Sequence, residues 1–71
     1  MMIKIWRYEK APEKYKKLYS DDVDWVAFIP NEVLKEEKGY IPFLEENTPF
    51  AWCCVEKFKV KNGEVWFGCH A

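Results

Sequence analysis

The sequence predicts an α+β fold. It forms one compact domain over residues 1–71, in the order β-α-β-α-β-β, with a C-terminal antiparallel hairpin and helices packed on one face of the sheet. Three observations carry this expectation. Alternating β-branched and aromatic residues open the chain, a near-continuous apolar run lies in its middle, and two alternating runs flank Asn62-Gly63 near its end. Period-two alternation marks strands, and apolar residues at three- and four-residue spacing mark helices. At 71 residues there is material for one core only, burying about 60–65% of the unfolded surface.

The first strand is read from Met2–Glu9, with Ile3, Ile5 and Arg7 on one face and Lys4, Trp6 and Tyr8 on the other. Pro12 suits the start of a helix. Ala11, Tyr15, Leu18 and Tyr19 then share one helical face. Asp21–Pro30 begins with acids and becomes apolar, as a strand covered on both faces would. Its Trp25–Ile29 part is expected at the centre of the sheet. Asn31–Gly39 reads as a short helix capped by Asn31 and ended by Gly39. In Tyr40–Phe50, Pro42 can begin one helical turn through Glu46, which Asn47–Pro49 breaks.

The last 21 residues specify a hairpin. Asn-Gly suits a type I′ turn, whose two central residues both need positive φ. With Asn62-Gly63 at the tip, Val60 faces Val65, Phe58 faces Phe67 and Glu56 faces Cys69. One face carries Phe58, Val60, Val65 and Phe67. The other carries Lys57, Lys59, Lys61, Glu64 and Trp66.

Composition limits the functional classes. With 11 basic and 12 acidic residues the net charge is −1, which argues against general nucleic-acid binding. No apolar stretch approaches a membrane span, and the N-terminus lacks the apolar region of a signal peptide. A cytoplasmic protein is expected, with its three cysteines reduced. Four Trp, four Tyr and five Phe exceed what one small core is expected to hide. An exposed aromatic patch and a homo-oligomer are therefore expected.

Five sets of residues are candidates for chemistry or binding. Cys53, Cys54, Cys69 and His70 are the soft ligands. Alternation sends neighbours to opposite faces, so each face offers at most two of the four ligands that structural zinc needs. Cys53 and His70 remain the metal or thiol candidates, and a two-fold dimer would be required to complete a metal site. Asp21, Asp22 and Asp24 lack the spacing of a calcium loop and read as a solvated turn. Glu56 interrupts an inward apolar face and must be paired or turned outward. Lys57, Lys59 and Lys61 beside Trp66 combine cations with an aromatic plate, the chemistry that holds a nucleotide. Finally, Tyr40, Phe43, Phe50 and Trp52 lie in or beside the irregular two-proline segment, where aromatic residues can anchor a protein partner. No Gly-rich phosphate loop, G-x-S-x-G or H-E-x-x-H occurs, so neither an enzyme nor a cofactor is expected.

The opening "IKIWRYE", the block "DWVAFIP" with "YIPFLEENTPF", and the ending "VWFGCHA" make the chain similar to small proteins of bacteriophage and prophage genomes. The resemblance implies either inhibition of a host defence protein by direct binding or sequestration of a signalling nucleotide, in the host cytoplasm. It assigns no functional residue. The expected function is thus a non-enzymatic binding protein acting through Tyr40, Phe43, Phe50 and Trp52. The alternative is a small anionic ligand held by Lys57, Lys59, Lys61 and Trp66, with a Cys53/His70 metal or thiol protein as the third.

Overall fold

The computed structural model describes residues 2–20, 22–52 and 55–68. Its strands are β1 (Lys4–Arg7), β2 (Trp25–Pro30), β3 (Glu56–Val60) and β4 (Gly63–Gly68), and its helices are α1 (Glu13–Lys16), α2 (Asn31–Leu34) and α3 (Tyr40–Asn47). The strands form one antiparallel sheet in the order β1-β2-β4-β3. The expected α+β class is observed, with two short helices, α2 and α3, between β2 and the C-terminal hairpin. β2 lies between β1 and β4, as its apolar run requires. No helix among the described residues is long and apolar enough to cross a membrane.

Alternation along the strands builds two cores, one on each face of the sheet. Ile3, Ala27, Ile29 and Trp66 join Val33 of α2, Leu44 of α3 and Trp52 on one face. Val26, Val65 and Phe67 join Ala11 and Val23 on the other, with Tyr15, Leu18 and Tyr19 packed against them. The helical side chains are thus divided between the faces, where the sequence reading grouped them on one. This division absorbs the aromatic excess. Among the described residues Met2 is the only large hydrophobic side chain that is exposed, so the expected exposed aromatic patch is absent.

Several boundaries differ from expectation for local reasons. β1 ends at Arg7, and Tyr8–Lys10 form a 3-10 turn. Tyr8 N–H still donates to Asp24 O at 3.0 Å, extending the contact between the two chain segments. α1 spans one turn only, yet Ala11, Tyr15, Leu18 and Tyr19 reach one core as their spacing implies. Asn31 does not cap α2. It is the first helical residue, preceded by extended Pro30, and its N–H donates to Asn62 O at 3.2 Å. Gly39 has φ −62° and precedes α3, while Lys38 holds the left-handed position at φ 63°.

α3 is longer than the single turn expected. Pro42 lies in its first turn, where a backbone N–H has no helical partner to lose. Its C-terminus is closed by Thr48. The Thr48 hydroxyl donates to Leu44 O at 2.9 Å and accepts from Trp52 Nε1 at 2.7 Å. It thereby satisfies a buried indole and adds a second bond to a helix-end carbonyl that Thr48 N–H also reaches at 3.0 Å. Thr48→Val keeps the shape and removes both hydroxyl bonds, together with the longer one that the hydroxyl accepts from Phe50 N–H at 3.4 Å. A loss of about 1–2 kcal/mol is expected, to be read as a lower urea midpoint with unchanged slope.

The C-terminal hairpin forms, but its register differs. Val60 pairs with Gly63, Phe58 with Val65 and Glu56 with Phe67, so Lys61 and Asn62 make the turn. Each β3 residue pairs two positions earlier in β4 than expected. An even displacement leaves the paired β3 and β4 side chains on their expected faces, while Lys61 passes into the turn. Within the hairpin turn Asn62 has positive φ, at 68°, and Gly63 does not; Asn tolerates that conformation. Gly63 is needed for space instead. A Cβ there would lie 2.5 Å from Phe28 Cζ and 2.8 Å from Ile29 O.

Candidate functional site

The expected partner-binding residues do not form a surface. Trp52 is 1% exposed and Phe50 is 9% exposed. Phe50 meets the Trp25 ring edge-on at 6.5 Å. Tyr40 and Phe43, three apart on α3, are half-buried and pack against the α2–α3 core. The two-proline segment concentrates aromatic residues because it builds that core.

The expected Lys/Trp face is also changed. Trp66 is 3% exposed. Its ring meets Tyr40 at 5.4 Å and Trp52 at 6.2 Å, and Lys57 Nζ lies 4.8 Å from its centroid. Trp66 Nε1 donates to Glu64 Oε2 at 2.6 Å. The indole is enclosed and its polar atom is satisfied, so it offers no plate to a ligand. Lys57 and Lys59 are exposed, and Lys59 stands across the strands from Glu64, an opposite-charge pairing suited to a solvated edge strand. Glu56 is exposed, which resolves the conflict of a carboxylate on an apolar face.

Cys53, Cys54, Cys69, His70 and Asp21 lie outside the described residues. Among the described residues no group of three or more His, Cys, Asp or Glu side chains is placed to hold a metal ion. Asp22 and Asp24 are exposed.

Lys61 belongs to a different arrangement, on the α1 face of the sheet. Register places Lys4 of β1 beside Phe28 of β2, with Trp6 two residues along on the same face. Tyr15 of α1 lies over them. Its ring is nearly parallel to Phe28 (7°, centroids 5.6 Å apart) and tilted 44° to Trp6 at 5.8 Å. Lys14 Nζ lies 5.0 Å from the Tyr15 centroid. The hairpin turn closes the far side. The result is a cavity of about 320 Å³ floored by Trp6, Tyr15 and Phe28 and flanked by Lys4, Lys14 and Lys61. A second cavity of about 260 Å³ continues from it along Leu18 and Val60, sharing Lys14, Tyr15 and Lys61.

The charge of this groove departs from that of the chain. Among the described residues three lysines line it and no carboxylate does, although acidic residues outnumber basic ones overall. No ion pair engages Lys4, Lys14 or Lys61 among the described residues. Half-buried aromatic rings beside unpaired ammonium groups can receive a ligand that is flat in one part and anionic in another. The sequence reading missed this site because its residues come from four separate segments. The signal present was the shared face of Lys4 and Trp6, but only the sheet register and the packing of α1 bring Tyr15 and Lys61 to it. No protein-family model, curated protein or solved structure matches the chain, so the functional reading rests on its own residues.

Proposed function

We propose that this is a non-enzymatic binding protein that holds a small anionic ligand in the groove between α1 and the sheet. The observation that supports this reading best is the local charge: among the described residues Lys4, Lys14 and Lys61 line the groove and no acidic side chain does, on a chain of net charge −1. A cleft of one sign with low-dielectric walls concentrates ions of the other sign. The reading keeps Lys61 from the anion site expected from sequence and replaces Lys57, Lys59 and Trp66 with groups on the opposite face.

Titration with inorganic pyrophosphate, followed by backbone amide NMR, tests the proposal. The largest shifts are expected at Lys4, Trp6, Tyr15 and Asn62, with affinity falling as salt rises. Lys14 and Lys61 are exposed, so alanine at each should leave the fold intact and weaken binding roughly tenfold. Shifts spread equally over Lys57 and Lys59, or no shifts at all, would remove the groove as the site.

A second reading, partner capture through α3, has one observation in its favour. Tyr40 and Phe43 are adjacent on that helix and only half-buried, leaving part of each ring able to touch a protein. Phe50 and Trp52 are not part of it, and self-association loses the surplus apolar surface on which its expectation rested.

A further inference from the structure

Resting on the anionic-ligand reading, the geometry points to a chemical class of ligand. We propose that the groove takes a mononucleotide, with its base against the Trp6 indole and its phosphates between Lys14 and Lys61. Trp6 is the ring we assign to the base. Tyr15 has Phe28 stacked at 5.6 Å and the Lys14 ammonium at 5.0 Å from its centroid. Trp6 is half-buried and meets Tyr15 at a 44° tilt. It sits on β1, an edge strand, so no further strand covers its flank.

The cations stand on the other side of the same cavity. Lys14 and Lys61 line both it and its 260 Å³ continuation, a position that lets them span a phosphate chain leaving the base. Lys4 shares the Trp6 face and adds a third positive charge. Asn62, also lining the cavity, carries both an amide donor and an acceptor for the sugar or the base edge. At about 320 Å³ the cavity is near the small end of the range for small-molecule sites, roughly 300–1,000 Å³. A base supplies the aromatic half of the recognition and the phosphates the electrostatic half, which a simple anion or a simple aromatic does not.

Calorimetric titration with ADP, CDP and inorganic pyrophosphate separates this proposal from the broader one. Stacking should make at least one nucleotide bind about tenfold more tightly than pyrophosphate. Trp6→Leu should erase that advantage, so that nucleotide and pyrophosphate affinities measured on the same variant become equal, and Trp6→Phe should restore part of the difference. In the unsubstituted protein, nuclear Overhauser contacts between base protons and the Trp6 indole provide the same test without altering the fold. If pyrophosphate binds as tightly as both nucleotides, the mononucleotide proposal fails and the anionic-ligand reading stands. If none of the three binds, both fail. A nucleotide advantage that survives Trp6→Leu, without contacts to the indole, overturns the placement of the base.

Discussion

Trp52→Ala is expected to remove most of the stability of the fold. Trp52 is 1% exposed and packs with Leu44, Val33 and Trp66 in the α2–α3 core. Its Nε1 donates to the Thr48 hydroxyl at 2.7 Å, so truncation also frees a polar group at the end of α3. Replacing a buried Trp by Ala costs about 3–5 kcal/mol. A 71-residue domain has roughly 4–10 kcal/mol in total. The variant should therefore melt roughly 20 °C lower, or be unfolded at room temperature, as read by thermal circular dichroism. Trp52→Phe keeps most of the volume and loses the hydrogen bond, and should be milder. The same experiment separates two roles for this residue. A surface anchor for a partner would leave the melting temperature unchanged when truncated. A near-wild-type melt for Trp52→Ala would contradict the buried position.

Gly63→Ala is expected to damage stability and ligand binding together. The added Cβ would lie 2.5 Å from Phe28 Cζ and 2.8 Å from the carbonyl oxygen of Ile29. The ring can retreat, but the carbonyl belongs to the paired strand, where Pro30 faces Gly63. Overpacking of this kind costs about 1–3 kcal/mol, or roughly 10 °C in melting temperature for a domain of this size. Phe28 stacks on Tyr15 and floors the groove, so its displacement should also weaken pyrophosphate binding. Gly63→Asn distinguishes space from conformation. Asn tolerates positive φ, so it would be accepted if Gly63 served the turn, but it is larger than Ala and should be worse if Gly63 serves Phe28. Combining Gly63→Ala with Phe28→Leu should recover part of the lost stability, because the shorter side chain vacates the clash. Additive losses in the pair would argue against the contact.

Sequence pattern carries strand identity and face better than pairing or exposure. Ile3 and Ile5 separate from Trp6 and Tyr8 as alternation requires, and the Trp25–Ile29 run occupies the sheet interior. The hairpin register was misjudged because Gly63 is compatible with two demands, positive φ and absence of a side chain, and sequence alone does not say which applies. The candidate site was misplaced for a related reason. Alternation puts Trp66 beside three lysines, but it does not reveal that α3 and Trp52 cover that face. Whether an aromatic residue is a plate or a core side chain depends on what the rest of the chain lays over it. Tyr15 shows the converse: its helical spacing marks it as core-facing, and only the tertiary fold shows its ring lining a basic cavity as well.

The strand order has a consequence for the chain as a whole. The two interior strands, β2 and β4, come from opposite halves of the sequence, and each face of the sheet draws side chains from both. Neither half contains a finished hydrophobic layer. A cleavage between α2 and α3 would leave two fragments, each with an interior strand whose apolar edge has lost its neighbour, a template for aggregation. During folding, pairing of residues 25–30 with 63–68 must close a long loop before either layer can assemble, the kind of non-local contact that slows folding. The domain is topologically indivisible, and the groove under α1, which takes residues from β1, β2 and the β3–β4 turn, exists only once that closure is complete.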